Sequence, residues 1–79
     1  MFTSKSLLIT GGTGSFGNAI LERCLENDFS EIRIFSRDEK KQDDMRKKYN
    51  NDKLKFYIGD VRDPKSLSSA VRGVNFIFH

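Results

Sequence analysis

Four glycines fall within seven positions, Gly11, Gly12, Gly14 and Gly17, between an apolar run and a stretch with helical spacing. Gly11, Gly14 and Gly17 keep the spacing G-x-x-G-x-x-G. A glycine at the first position permits a tight turn off a strand. The second lets the backbone approach a pyrophosphate with no Cβ in the way. The third lets the following helix lie close to the sheet. Backbone N–H groups at the helix start, with the positive end of the helix dipole, then face the anion. The amides of Ser15 and Phe16 are best placed for this, and the Ser15 hydroxyl adds a donor. A lone glycine triplet is a weak signal. One that follows a strand, opens a helix and sits in a β-α-β unit has its confirming context. A glycine-rich turn without a ligand is the competing reading. No G-K-[ST] ends the run, which disfavours a triphosphate P-loop.

The next chemistry lies at Ser36. In dinucleotide-binding units an acidic residue at the end of the second strand bonds the ribose diol. Here that place falls on Ser36, followed by Arg37, Asp38, Glu39, Lys40 and Lys41. A missing carboxylate and an arriving guanidinium suit a 2′-phosphate. NADP is therefore expected as cofactor, with NAD the second choice. Two alternatives stand beside this. Arg37 and Lys40 could simply decorate a helix start, or a one-residue slip could bring Asp38 to the ribose. Further on, Asp60 at a strand end could accept from an adenine amino group, and the Val61 amide could donate to a ring nitrogen. A turn-capping Asp60 is the alternative there.

Other reactive residue types carry less. Tyr49-Asn50-Asn51-Asp52-Lys53 spells Tyr-x-x-x-Lys, but it falls where the second helix hands over to the third strand. Ligands of parallel sheets bind at the carboxyl ends of strands. Tyr49 is therefore expected to pack with Met45, and Lys53 to be solvated. His79 has no orienting partner in the sequence. Cys24 stands alone, which excludes an internal disulfide and a cysteine zinc cluster, and should pack as a small hydrophobe. No catalytic residue and no metal ligand is expected in this chain.

The elements that must position these residues follow from the apolar pattern. Leu7–Thr10, Ile32–Ser36, Leu54–Ile58 and Val74–Phe78 read as strands, near-continuously apolar as in sheets covered on both faces. Phe16, Ile20 and Cys24, with Leu21 and Leu25, mark a first helix. Met45 and Tyr49 mark a second, and Leu67, Ala70 and Val71 a third. Asp63-Pro64 starts the third with an N-cap acceptor and a proline at the first helical position. The order β-α-β-α-β-α-β predicts an α/β fold: the first half of a Rossmann-type parallel sheet, three-layer α/β/α, with right-handed crossovers. Residues 1–79 read as an incomplete N-terminal part of an NAD(P)-binding Rossmann domain. Strands one and four are expected to lack neighbours, and an open edge could recruit a second copy.

Composition narrows the class. The 79 residues carry 14 basic and 11 acidic side chains, a net +3, and 37% are hydrophobic. The densest basic run, Lys40 to Lys48, is interrupted by Asp43 and Asp44 and reads as a solvated helix face, so nucleic acid is not an expected partner. With no signal peptide and no long apolar run, no membrane association is expected and the cytoplasm is the default.

Taken together, T-G-G-T-G-S-F-G, F-S-R-D-E-K-K-Q, F-Y-I-G-D-V-R-D and G-V-N-F-I-F-H resemble the start of the extended short-chain dehydrogenase/reductases. Within that group they are most similar to the nucleotide-sugar 4,6-dehydratases and epimerases of bacterial polysaccharide synthesis, the CapD-like family. The glycine motif alone reaches only the superfamily; S-F-G with S-R-D-E-K-K-Q narrows it. The resemblance implies an enzyme acting on a UDP-linked hexose, UDP-N-acetylglucosamine first, with a held NADP that oxidises C4 and returns the hydride. It implies that Thr13 to Phe16 cradle the pyrophosphate, Arg37 to Gln42 wrap the adenosine phosphate, and Asp60 and Val61 hold adenine. The family's acid/base residues and sugar-binding domain come later than residue 79, so this chain alone is expected to be inactive. The competing expectation is a non-catalytic binding or interaction fragment; a flavin- or NAD-sensing module is a third.

Overall fold

Parallel crossovers and one reversal of direction account for the architecture. A computed structural model describes residues 5–11 and 14–78. Along the chain lie β1 (Ser6–Thr10), α1 (Ser15–Leu25), β2 (Glu31–Ser36), α2 (Glu39–Tyr49), β3 (Leu54–Ile58), α3 (Pro64–Val71) and β4 (Phe76–Phe78). All pairings are parallel and the sheet order is β3-β2-β1-β4. The chain winds outward through β2 and β3, then crosses back to place β4 on the far side of β1. Crossovers of one hand put α1 and α2 on one face, and the reversal puts α3 on the other. The expected three-layer Rossmann-type α/β arrangement is the one observed.

Side-chain alternation assigns the faces. Leu7 and Ile9 of β1, Ile32 and Ile34 of β2 and Leu54 of β3 form one buried cluster with Leu21 of α1, Met45 of α2 and Phe29 from the loop before β2. Leu8 and Phe35, of opposite parity, pack with Ala70 of α3 on the other face. Ile32 and Ile34 are fully buried, as are Leu8 and Phe35 within 1%.

The order of strands corrects one expectation. β1 is not an open edge: it pairs Ser6–Thr10 with β2 and Leu7–Ile9 with β4. The edges are β3 and β4. The expectation of strands covered on both faces holds for β1 and β2 only. On β4 all three residues are exposed, and Ile58 of β3 is too. β4 is also shorter than its apolar run, because Val74 and Asn75 precede the ladder; Asn75 instead bonds Ser6 through both its backbone and its side chain.

The helix ends are set by side chains at α2 and α3. The Asp38 carboxylate accepts from the Lys41 amide at 3.0 Å, and Asn50 ends α2 in the left-handed region at φ 43°. The Asp63 carboxylate accepts from the Lys65 amide, with Pro64 at the first helical position. Arg33, on the α3 face of β2, closes the other end of α3 by donating to the carbonyls of Ala70 at 2.8 Å and Arg72 at 2.7 Å. A cation is favoured there by the helix dipole.

Candidate nucleotide-binding site

The reversal of strand order falls between β1 and β4, and ligands of such sheets bind in the crevice beyond the carboxyl ends of the strands at that point. The glycine turn leaves β1 there. Gly11 takes φ 65°, a conformation side chains disfavour, and its amide donates to the Phe35 carbonyl at 2.8 Å. Gly14 is the N-cap of α1 at φ −84°, and a Cβ built on it would meet nothing within 4 Å. Neither backbone conformation nor packing within the described chain calls for glycine at position 14. Open space in front of a helix start is what an approaching ligand needs.

α1 also differs electrostatically from α2 and α3. Those two begin with an aspartate over their first amides, which would repel an anion. α1 begins without a side-chain cap and has no acidic residue in its first turn. Among the described residues no side chain caps its leading amides, which suits an outside acceptor. Ser15 and Phe16 are exposed there; Gly17 is buried. Phe16, expected to mark the buried stripe of α1, is instead 70% exposed and lies 6.0 Å from the Phe78 ring. Ile20 and Cys24 do pack on the core, and burial pushes the Cys24 thiol pKa up. Thr13, like Gly12 and His79, lies outside the described residues.

The second and third strand ends complete the crevice. Ser36 is the last residue of β2, as expected. A cleft of about 210 Å³ brings together Gly11, Phe35, Arg37, Gly59, Asp60 and Val61. Asp60 closes the turn after β3, accepting from the Arg62 amide at 2.9 Å. Its carboxylate also binds the Arg62 guanidinium at 2.7 Å and faces that of Arg37 at 3.5 Å. Hydrogen bonds from the Arg62 side chain and amide, then the charges of Arg62 and Arg37, hold the Asp60 carboxyl well below the usual carboxylate range. Asp60 thus stays ionised and keeps two cations beside the cleft. Val61 is 42% exposed and offers an apolar surface.

The remaining sequence candidates divide. Lys41 lines a groove of about 480 Å³ with Gly14 and Ser15, between α1 and α2. Asp38 is occupied as the α2 cap, and Lys40 reaches Asp44 at 3.4 Å along the helix surface. Gln42 does not face the crevice surface. It is 1% exposed, and its Nε2 donates to the Tyr57 carbonyl at 2.9 Å and to the Ser36 hydroxyl at 3.0 Å. It ties the ends of β2 and β3 together from beneath.

Two contributors escaped the sequence reading. Arg62 doubles the guanidinium at this end; its place two residues after an Asp in a turn was the available signal. Asn18 bonds the Gly14 carbonyl from the side chain at 2.9 Å, one helical turn along. Tyr49 packs against the core beside Met45, as expected. Its hydroxyl bonds Glu22 at 2.8 Å, and burial first, then Glu22, push its pKa up to about 12. A phenol so held is a poor general base. Among the described residues no group of three or more His, Cys, Asp or Glu could hold a metal ion, and no helix is long and apolar enough to cross a membrane.

Comparison with known proteins agrees with this geometry. Over its full length the chain is 66% identical to a UDP-glucose 4-epimerase of Rickettsia rickettsii (strain Sheila Smith) and 65% identical to that of Rickettsia akari (strain Hartford). It spans 24% of the length of each. Among solved structures it matches Pen from Bacillus thuringiensis over its whole length with a TM-score of 0.92 and 33% identity, covering 24% of that chain. A putative 3-oxoacyl-reductase from Bacillus thuringiensis shares the fold, with a TM-score of 0.76 at 21% identity over 95% of this chain and 35% of its own. The family described as polysaccharide biosynthesis protein matches residues 7–79. That match covers nearly the whole chain, and with it the chain belongs to this polysaccharide biosynthesis family, the CapD-like group that its motifs resemble.

Proposed function

We propose that residues 1–79 form the first part of an NAD(P)-binding Rossmann domain in a nucleotide-sugar epimerase or dehydratase. The observation that carries this is the uncapped start of α1 behind Gly14, at the point where the sheet reverses and beside two arginines. The residues fit a dinucleotide by charge and shape. Gly11, Gly14, Ser15, Phe16 and Gly17, with Thr13, would receive the pyrophosphate. Arg37 and Lys41, with Asp38 and Lys40 at the same helix start, would hold the adenosine ribose. Asp60 and Val61 would border adenine.

The bound nicotinamide would supply the hydride chemistry; this chain's residues bind and orient the adenosine end. NADP is preferred over NAD, because Ser36 stands where a ribose-binding carboxylate would stand and Arg37 follows it. The substrate class is a UDP-linked hexose. The motifs favour UDP-N-acetylglucosamine, and the name of the Rickettsia relatives raises UDP-glucose as the alternative. The chain alone is expected to turn over neither sugar: Asp60 at the carboxyl edge is ion-paired to two arginines, and the Tyr49 hydroxyl is bonded to Glu22.

Calorimetric titration with NADP and NAD tests the reading. Gly14→Val should abolish measurable binding while the chain still folds, since the lost charge-assisted bonds are worth about 1.5–3 kcal/mol each. Arg37→Ala should weaken NADP far more than NAD. Binding that survives Gly14→Val refutes the phosphate site, and equal losses on Arg37→Ala refute the reading of a 2′-phosphate. A second reading, an interaction fragment, is favoured by the exposed Phe76, Ile77 and Phe78 on edge strand β4. Concentration-dependent association without nucleotide binding would support it instead.

A further inference from the structure

Tyr49, at the far end of α2, connects to the glycine turn through a single side chain. The Gly14 carbonyl accepts two hydrogen bonds from Asn18, one from its backbone amide at 2.9 Å and one from its side-chain Nδ2 at 2.9 Å. A carbonyl oxygen can only accept, so the carboxamide nitrogen of Asn18 must face it. The other end, Oδ1, then faces the Tyr49 hydroxyl at 3.0 Å. That hydroxyl has one proton, which it shares between Asn18 Oδ1 and the Glu22 carboxylate at 2.8 Å, one turn further along the same side of α1. Its ring is anchored by packing on the core beneath both helices.

The consequence runs through the peptide plane. In a trans peptide the N–H points opposite to the preceding C=O. Pinning the Gly14 carbonyl down the axis of α1 therefore aims the Ser15 N–H outward from the helix start. We propose that Tyr49 is a positioning residue for the phosphate turn: it fixes the Asn18 carboxamide, which fixes the Gly14 carbonyl, which directs the Ser15 amide at a bound pyrophosphate. The proposal rests on the dinucleotide reading of that turn. It assigns Tyr49 no proton transfer. A glycine N-cap has no side chain of its own to order it, and a donor pre-aimed before binding avoids the ordering cost at binding.

Two readouts test it separately. In the ligand-free chain, the Ser15 amide resonance and its hydrogen exchange report the orientation directly. Tyr49→Phe, which keeps the ring but also frees Glu22, should move that resonance and speed its exchange by more than the shift in urea midpoint accounts for. In titrations Tyr49→Phe should weaken NADP and NAD alike, by about threefold to tenfold, the effect of one modest hydrogen bond. Asn18→Leu, which keeps the size, adds no charge and can neither donate to Gly14 nor accept from Tyr49, should weaken both at least as much. Tyr49→Phe added to Asn18→Leu should cost nothing more, because the relay is already cut.

An unmoved Ser15 resonance in Tyr49→Phe overturns the relay. A moved resonance with unchanged affinities overturns its role in phosphate binding. Losses that add fully in the double variant show that the two residues act separately, and overturn it too. If the unaltered chain binds neither cofactor, the dinucleotide reading is what fails, and the relay stands or falls on the Ser15 resonance.

Discussion

Two glycines of the crevice should answer the same substitution in opposite ways. An alanine Cβ at Gly59 would lie 2.8 Å from Cε2 and Cζ of Phe35 and 2.8 Å from Cβ of Ser66. Carbon atoms prefer about 3.5–4.0 Å, so one wall must retreat by about an ångström. Neither is free to do so. Phe35 is 1% exposed, sits in the strand hydrogen-bonded on both sides, and packs on Leu8 and Ala70. Ser66 ties the start of α3 through its hydroxyl to the Asp60 and Asp63 carbonyls. Overpacking of this kind costs typically 1–3 kcal/mol. In a domain of this size each kcal/mol lowers Tm by roughly 4–8 °C. Gly59→Ala should therefore lower the thermal midpoint by about 4–24 °C. At Gly14 the same Cβ enters open space, and only the weaker helix cap is lost, about 1 kcal/mol or less. Paired melts by circular dichroism and nucleotide titrations separate the cases: Gly59→Ala loses stability first, Gly14→Ala loses binding first. A Gly59→Ala midpoint within 2 °C of the unaltered chain, against the roughly 4 °C minimum expected here, would refute the packing argument.

Gln42→Glu should destabilise by about 1–3 kcal/mol or more near neutral pH, because a carboxylate cannot donate to the Tyr57 carbonyl and Ser36 hydroxyl. The loss should shrink in acid, where a protonated glutamate can donate again; urea unfolding across pH reads both. Arg33→Met should cost about 1.5–3 kcal/mol by freeing two carbonyls at the end of α3, seen as faster amide exchange there. Asp60 has a lowered folded pKa, so its contribution to stability is present above about 3.9, the ordinary Asp value, and fades as pH falls below it. Asp60→Asn should flatten that acid limb, and 1 M salt should shrink it, because the pair is exposed.

Much of the fold could be read from the chain because its signals are local. Asp63-Pro64 placed the start of α3, and three of four strand runs matched their ladders to within a residue. What could not be read is relational. Chain order does not say that β4 returns to the far side of β1, so β1 was expected at an edge. Phe16 satisfies helical spacing yet lies outside, since α1 has only one covered side at its first turn. Gln42 shares a stripe with Met45 and Tyr49, at spacings of three and four, and that was the available sign of burial. A run of lysines and aspartates around it masked the sign. Arg33 likewise shares its strand face with Phe35, which points it at α3 rather than at solvent.

These misread residues explain why the crevice is ordered at all. Each loop leaving the sheet is tied back to a neighbouring strand: the Gly11 amide to Phe35, the Gly59 amide to Ser36, and the Gln42 carboxamide to Ser36 and Tyr57. Gln42 does this although its Oε1 is buried with no partner among the described residues. Leaving an acceptor so costs about 1–3 kcal/mol, a cost the tie must offset. The buried polar bonds thus fix backbone, and the α1 amides and the exposed Arg37 guanidinium face outward, where a ligand can meet them. A substitution beneath the sheet ends should therefore lower stability and affinity together, whereas one at exposed Arg37 should lower affinity with only the small loss of stability that its ion pair with Asp60 supplies.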